Sequence, residues 1–415
     1  MNRREIAPGV FLTEVEGSYK KSKLSIYLMS PLRRETVTAT AMLPFVLERG
    51  TARTPDMTLL KRRQNALYGA ALRTGYSNCG FARVTEGHIS GVDGSLVAGE
   101  EVSEGRLKLL LEVLFEPDVG PRGFADDGVD IEREKLRDVI RSVIDDKREY
   151  CERLLFEALY RGDERALPND GFEEDLAGID GAGLHKVYQE LISNSRIEII
   201  YVGSRQACLA ETILSEIAGR ASGEIKPVTS IPRRPVSEVS RVMKIEQTKL
   251  AMAFSPGRLL DPRERTVLRV ASALLGGSPT SRLFMNVREK LGLCYSIVSI
   301  PAYRMGGGLL IECGVDHAQA ARAREAALAE LDQLARNAPK AQEMTEIRLL
   351  FKNILRGFYD SSEMLGSYIY GTLVRYGEVM TPEQELALIE EVTAEEITAL
   401  LAEMRLDTVC IISGQ

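Results

Sequence analysis

The sequence contains no tryptophan and only three histidines, His88, His185 and His317, among 415 residues. No two of these histidines are close in the chain, so an H-x-x-x-H spacing does not occur. Catalytic zinc sites need three nitrogen, oxygen or sulfur donors plus an open position for water. The scarcity of histidine therefore argues against a zinc site built from a local motif in this chain.

Cysteine pairs, long apolar runs and blocks of like charge are also missing. The six cysteines are scattered without a C-x-x-C pair, which predicts buried free thiols in a reducing compartment. No apolar stretch approaches the ~20 residues that span a bilayer, and the segment Met1–Glu5 lacks the apolar region of a signal peptide. The formal net charge is −7 without a basic patch, which argues against nucleic acid. We expect a cytoplasmic protein with no membrane or nucleic-acid partner.

Several common catalytic signatures are absent as well. The chain has neither a G-x-S-x-G elbow nor a Walker A motif, and no Lys-Ser/Thr follows Gly276-Gly277-Ser278. Cys294 has no histidine nearby in sequence to activate it as a nucleophile. The sequence therefore gives little support to hydrolase or nucleotide-binding classes that depend on these motifs.

The order of predicted elements repeats along the chain. In both halves strands are followed by amphipathic helices, and the proline-containing stretch 223–238 lies between the halves. This pattern predicts an α+β protein with two homologous domains, 1–222 and 239–415, joined by a linker at 223–238. Each domain is expected to be an antiparallel-rich sheet layered with helices.

The most distinctive segment reads L-G-G-S-P-T-S-R-L-F at 275–284 and V-R-E-K-L-G-L-C-Y-S at 287–296. It resembles the C-terminal-domain signature of the M16 (insulinase-like) peptidases, especially the two-domain bacterial and mitochondrial-processing type. The resemblance implies that Arg288 and Tyr295 reach into an active site from the domain without zinc, where they contact substrate and stabilise an oxyanion. A guanidinium and a phenol are strong donors toward a developing alkoxide.

The first half carries the counterpart of this resemblance with its metal ligands replaced. L-E-R-G-T at 47–51 resembles the segment after the family's H-x-x-E-H motif, which places both histidines and the glutamate on Ala41, Phe45 and Pro44. E-R-E-K at 132–135 resembles the helix of the third ligand, which falls on Arg141. Alanine and phenylalanine offer no donor and arginine repels a dication, so the resemblance implies no zinc here.

Two smaller hypotheses concern these segments. The positive charge of Arg141 is expected to fill the vacated metal position by pairing with an acid such as Glu48. Gly306, Gly307 and Gly308 precede a strand, and they mark either a close backbone approach near a peptide groove or a flexible hairpin turn.

Together these features predict the zinc-less companion subunit of a bacterial heterodimeric processing peptidase, forming half of a clamshell. The chain is expected to be inactive alone and to hold no cofactor, while a homologous subunit carries H-x-x-E-H and zinc. Substrates would be extended peptides or unfolded segments, and the isolated chain can form a homodimer. The alternative is a non-enzymatic structural or binding homologue, similar to the core proteins of respiratory complexes. The missing ligands argue against an active homodimeric zinc peptidase.

Overall fold

The structure is a computed structural model, and it describes residues 1–97, 100–204, 209–217, 225, 235–303 and 306–414. The chain divides into two compact units. The first unit consists of Met1–Arg141, Leu167–Pro227 and Gly357–Gly371, and the second of Ser142–Ala166, Val228–Arg356 and Thr372–Gln415. Each unit therefore includes a helical segment that comes from the other half of the sequence.

A sheet of six strands forms the centre of the first unit. The strands are β1 (Asn2–Ala7), β2 (Val10–Glu16), β3 (Lys21–Pro31), β4 (Ala71–Cys79), β5 (Ala82–Val92) and β6 (Arg196–Gly203). Their order is β1-β2-β6-β3-β5-β4, with β2 and β6 parallel and the other neighbours antiparallel. Seven of the eight residues of β6 are buried, as expected for an inner strand covered on both faces.

The second unit is built on a sheet of five strands. These are β7 (Ser237–Val242), β8 (Thr248–Ser255), β9 (Ser296–Pro301), β10 (Leu309–Val315) and β11 (Arg405–Ser413). Their order is β7-β11-β8-β10-β9, with β7 and β11 parallel and the other neighbours antiparallel. With β1 set aside, the first sheet has the same order and the same single parallel pair. This correspondence confirms the predicted α+β fold with two antiparallel-rich sheets.

The α-helices are α1 (Val37–Leu47), α2 (Met57–Ala66), α3 (Glu100–Phe115), α4 (Asp126–Ser142), α5 (Lys147–Leu159), α6 (Gly181–Asn194), α7 (Leu209–Ile217), α8 (Pro262–Leu275), α9 (Ala320–Arg336), α10 (Ala341–Gly357), α11 (Ser362–Tyr376), α12 (Pro382–Glu390) and α13 (Ala394–Glu403). A π-helix covers Leu283–Lys290, and 3₁₀-helices cover Glu173–Gly178 and His317–Gln319, among others.

Helices α1, α3 and α6 cover one face of the first sheet. The core between them includes Leu43, Leu110, Leu184, Ile26 and Ile199, none of which exposes more than 1% of its surface. Full burial of such a side chain contributes roughly 1.5–3 kcal/mol to folding. This core fixes α1, the helix on which the predicted metal positions lie.

The first turns of α11 contact β3 and β5 of the same unit. The ring of Tyr370 stacks on Tyr27 with centroids 3.7 Å apart, and Ser90 Oγ donates to Glu363 Oε1 at 2.7 Å. In the second unit α5 packs on β8 and β11, where Cys151 and Leu155 join a buried cluster. Each sheet thus carries a helix that a reading of consecutive sequence segments would assign elsewhere.

Some expectations need correction or lie outside the described residues. The sequence pattern predicts paired strands over 72–85 and 88–97, but the turn of the hairpin lies earlier, at Gly80 with a φ of 59°, and β5 begins at Ala82. The predicted linker at 223–238 falls largely on residues that the structure does not describe. Within the described ranges, no helix has the length and apolar character needed to cross a membrane.

Candidate functional site

Helix α1 carries Ala41, Pro44 and Phe45, the three positions that the sequence resemblance assigns to the zinc motif. Every residue of α1 except Phe45 is buried, and Ala41 has no exposed surface. A helix that is apolar on all sides packs as part of the core. Phe45 places its ring edge-on to Tyr76 of β4, with centroids 6.1 Å apart and an interplanar angle of 73°. Apolar packing therefore occupies the positions of both expected histidines.

Pro44 stands at the position of the expected catalytic glutamate, and β4 bonds to the backbone there. Proline has no N–H to donate to the preceding turn. Thr74 Oγ1 lies 3.0 Å from the Pro44 carbonyl oxygen and 2.9 Å from Glu48 Oε1, and the Thr74 N–H donates to the same carboxylate oxygen at 2.7 Å. Glu48 is therefore used locally to hold the end of α1 against β4.

Arg141 was expected to pair with an acid such as Glu48; it does pair with an acid, but that acid is Glu173 and not Glu48. Arg141 lies in the last turn of α4 with 61% of its side chain exposed, and its Nε and Nη2 donate to Glu173 Oε1 at 3.1 and 2.5 Å. Glu48 is already bound by Thr74, and a nearer carboxylate is available to the arginine. These hydrogen bonds raise the pKa of Arg141 and lower that of Glu173, so both groups stay charged.

The residues at these positions do not fit zinc. Ala41 and Phe45 have no donor atom, and Arg141 is a cation that already bonds to a carboxylate. Within the described parts of the chain, no group of three or more histidine, cysteine, aspartate or glutamate residues is arranged to hold a metal ion. The histidines have unrelated surroundings: His88 lies against Tyr27, His185 against Phe124, and His317 bonds to Thr248.

Arg288 lies on the π-helix Leu283–Lys290 of the second unit. Its guanidinium carbon sits 4.5 Å from the centre of the Phe284 ring, and its Nε is 3.7 Å from Glu289 Oε1. The side chain keeps 38% of its surface exposed. A π-helix has hydrogen bonds between residues i and i+5; it is rare, and short π-helical turns often occur at functional sites. The guanidinium is thus supported by an aromatic face while donors remain open to solvent.

Tyr295 follows Gly292, whose φ of 60° forms the turn after the π-helix. The Tyr295 N–H donates to the carbonyl oxygen of Gly314 at 2.9 Å, and its hydroxyl donates to Asp316 Oδ1 at 2.9 Å. The side chain is 54% exposed. The hydrogen bond to the Asp316 carboxylate raises the pKa of the Tyr295 phenol, so the phenol stays protonated at neutral pH. Both expected donors are therefore presented at the surface of one connection between α8 and β9.

The three glycines at 306–308 pack against their own unit. Gly307 has a φ of 106°, and a Cβ there would come within 2.7 Å of the Leu260 side chain. A Cβ on Gly308 would lie 2.8 Å from the Phe254 carbonyl oxygen. Glycine is required at these positions by the tight connection between β9 and β10.

A small cavity in the second unit was not anticipated from the sequence. It has a volume of about 80 Å³ and lies between α5 and the face of β8, β9 and β10, with Arg148, Lys249, Ser296 and Glu312 among its polar lining residues. Arg148 Nε donates to Glu312 Oε2 at 2.8 Å, and the pairing raises the pKa of Arg148. Because α5 is distant in sequence from these strands, no local pattern could have indicated the cavity.

The sequence of this chain is similar to those of known M16-type proteins. Residues 179–350 match the family model described as the peptidase M16 inactive domain. The chain is 26% identical over 402 residues to a probable inactive metalloprotease, YmfF, of Bacillus subtilis, covering 95% of this chain and 93% of that protein. It is 25% identical over 257 residues to an uncharacterized zinc protease, YmxG, of the same organism, covering 60% of this chain and 61% of that protein.

Solved structures show the same fold over the whole chain. A conserved protein from Enterococcus faecalis superimposes with a TM-score of 0.86 at 22% identity, covering 100% of this chain and 98% of that one. A peptidase M16 inactive domain from Pseudomonas fluorescens gives a TM-score of 0.78 at 16% identity, with the same coverage. The two sheets of equal topology therefore have the fold that these solved structures share. The chain is a homologue of the inactive members of the peptidase M16 family, whose family model matches residues 179–350.

Proposed function

We propose that the chain is the catalytically incomplete subunit of a two-chain M16 peptidase. In this proposal a homologous partner carries H-x-x-E-H and binds zinc, and this chain contributes Arg288 and Tyr295 to the partner's site. The two side chains would bind the substrate backbone and donate to the oxyanion that forms during peptide hydrolysis. The chain alone would cleave no peptide.

The observation that carries the proposal is a contrast between two regions of the chain. Ala41 and Phe45, the positions that the resemblance assigns to the two zinc histidines, take part in the packing of α1, whereas Arg288 and Tyr295 expose 38% and 54% of their surfaces. Neither exposed side chain contributes to a hydrophobic core. A purely structural chain would gain little from keeping a guanidinium and a phenol together on one surface connection.

The sheet edge beside Tyr295 supports a peptide as the substrate class. β9 begins at Ser296, immediately after Tyr295, and it is the last strand of its sheet. Edge strands have unpaired N–H and C=O groups that an extended peptide can bind as an additional strand. A peptide held there would run past the Tyr295 side chain.

The relatives support a partnership between unlike subunits. This chain is similar both to a probable inactive metalloprotease and to an uncharacterized zinc protease of one bacterium. An organism that encodes both kinds of chain can build a site from two of them. Such a partner would be of similar fold and length.

The test is a reconstitution with purified proteins. This chain and a zinc-bearing M16 homologue from the same genome are assayed separately and mixed, on a library of unfolded peptides, with association followed by analytical ultracentrifugation. The proposal expects a stable complex and cleavage at least about tenfold faster than either chain gives alone. A complex with no gain in cleavage would support a binding or scaffold role instead.

The scaffold role is the second candidate, and one observation favours it. Both proposed donors have partners within this chain, because Arg288 lies over Phe284 and Tyr295 bonds to Asp316. These contacts would suffice to fix a surface for assembly without catalysis. Substitution of the donors separates the two candidates, since a scaffold would tolerate their loss.

A further inference from the structure

The hydroxyl group of Tyr295 is engaged in this structure. It donates to Asp316 Oδ1 at 2.9 Å. A phenol has one proton to donate, so a hydroxyl that donates to a carboxylate cannot donate to a substrate oxygen at the same time. In the arrangement observed, Tyr295 offers a substrate only its lone pairs.

Asp316 is held in place by the strand that precedes it and the turn that follows it. β10 ends at Val315, and the Tyr295 N–H donates to the carbonyl of Gly314 in that strand at 2.9 Å. His317 Nδ1 lies 2.7 Å from Thr248 Oγ1, and its Nε2 lies 3.2 Å from the Ile245 carbonyl oxygen. Backbone pairing therefore places Tyr295 beside the strand that Asp316 follows, and the two exposed side chains meet there.

The charge of Asp316 opposes the chemistry proposed for Tyr295. A negative carboxylate next to the phenol disfavours a second negative oxygen at the same hydroxyl. It also stabilises the protonated phenol, which keeps the donor available once the bond is exchanged. The hydrogen bond to Asp316 thus keeps the Tyr295 hydroxyl protonated but prevents it from donating to a substrate.

We propose that Asp316 is a positioning residue that holds the Tyr295 hydroxyl in a resting arrangement, and that the substrate oxyanion replaces Asp316 as the acceptor during turnover. This inference rests on the proposed function of Tyr295. It adds a regulation of that site, because the donor becomes active only when the hydrogen bond between two residues of this chain is exchanged.

The first arm of the test uses the isolated chain. The phenol pKa of Tyr295 is followed by ¹³C NMR of ring-labelled tyrosine, with Tyr295→Phe to assign the signal. Asp316→Ala should lower this pKa toward the ordinary value of about 10, and Asp316→Asn should lower it while leaving an acceptor in place. Asp332→Ala is the control, because Asp332 is an exposed carboxylate of α9 that bonds to Arg336. An unchanged pKa in both Asp316 variants overturns the inference.

The second arm uses the mixture with the zinc-bearing homologue. Asp316→Ala should raise kcat by about three- to tenfold with little change in KM, the size expected for one exchanged hydrogen bond. In the Tyr295→Phe background the same substitution should change nothing. The inference about Asp316 is overturned if Asp316→Ala changes kcat equally with and without Tyr295→Phe. It is also overturned if Asp316→Ala changes kcat in neither background while Tyr295→Phe itself remains slow. Both results leave the proposed function of Tyr295 intact. A wild-type rate in Tyr295→Phe overturns the proposed function as well.

Discussion

Arg49 and Glu132 lie 83 residues apart in sequence and form an ion pair in the structure, with Arg49 Nη1 2.8 Å from Glu132 Oε1. Arg49 follows α1, and Glu132 is a buried residue of α4 with 1% exposure. Both residues belong to the segments by which the first half resembles M16 peptidases. The two segments that carry the resemblance in the first half therefore contact each other in the fold.

Replacing Arg49 should destabilise the first unit. Arg49→Met leaves the buried Glu132 carboxylate with Lys135 as its remaining partner, and we expect a loss of about 2 kcal/mol in the free energy of unfolding. The free energy of unfolding is measured by urea titration, with circular dichroism as the signal. Arg53→Met is the control, since that side chain is 62% exposed and should change stability by less than about 0.5 kcal/mol. Equal effects of the two variants would contradict the importance of the pair.

Restoring a histidine at the first metal position should damage the fold. Ala41 has no exposed surface, so Ala41→His forces a larger, polar ring into a closed core and should cost about 3 kcal/mol. Ala321→His places the same side chain on an exposed position of α9 and should be nearly neutral. The melting temperatures of both variants are compared with that of the wild type. An unchanged melting temperature for Ala41→His would show that the core around Ala41 has room for an imidazole ring.

The purified chain should bind no stoichiometric zinc. R141E restores a carboxylate at the third position but should not create a site, because Ala41 and Phe45 still supply no donor. Both proteins are incubated with zinc, desalted and analysed by mass spectrometry of the metal. One tightly bound zinc per chain in the unmodified protein would overturn the structural account of this position.

A pH dependence of stability is expected from Asp93, which follows β5. Burial raises its pKa, but hydrogen bonds from Ser204 and Ser95 outweigh burial and lower the pKa to about 2. Because the pKa is lower in the folded state, the ionised carboxylate stabilises the fold at every pH above the unfolded-state pKa near 4. This stabilisation is lost as the pH falls toward 2. The difference in stability between the wild type and Asp93→Asn should be about 2 kcal/mol at pH 7, with about half of it lost by pH 3. A difference independent of pH would contradict this assignment.

Much of the fold could be predicted from the sequence because its patterns are local. The strand and helix periodicities predict two sheets layered with helices, as the structure has them. The placement of α5 on the second sheet could not be predicted, because it depends on contacts between segments far apart in sequence. The turn of the β4–β5 hairpin at Gly80 could not be placed from the sequence, because no Asn-Gly or Asp-Gly pair marks it.

Some features of the candidate site could be predicted from the sequence and others could not. The apolar character of α1 and the positions of Arg288 and Tyr295 follow from motifs that can be read directly in the sequence. The partners of Arg141 and Tyr295 could not be read, because Glu173 and Asp316 lie outside any motif and reach them only through folding. An acidic residue directly after a buried strand, as Asp316 is after β10, was the one signal available in advance.

The most direct test of the proposed function is the rate of the reconstituted mixture with each donor removed in turn. Arg288→Ala and Tyr295→Phe are compared with the wild type for kcat on one peptide, while sedimentation confirms that the complex still assembles. We expect each substitution to lower kcat by roughly a hundredfold with assembly intact, and Arg288→Lys to recover part of the loss. Full activity in both variants would contradict the account and leave a structural role for this chain.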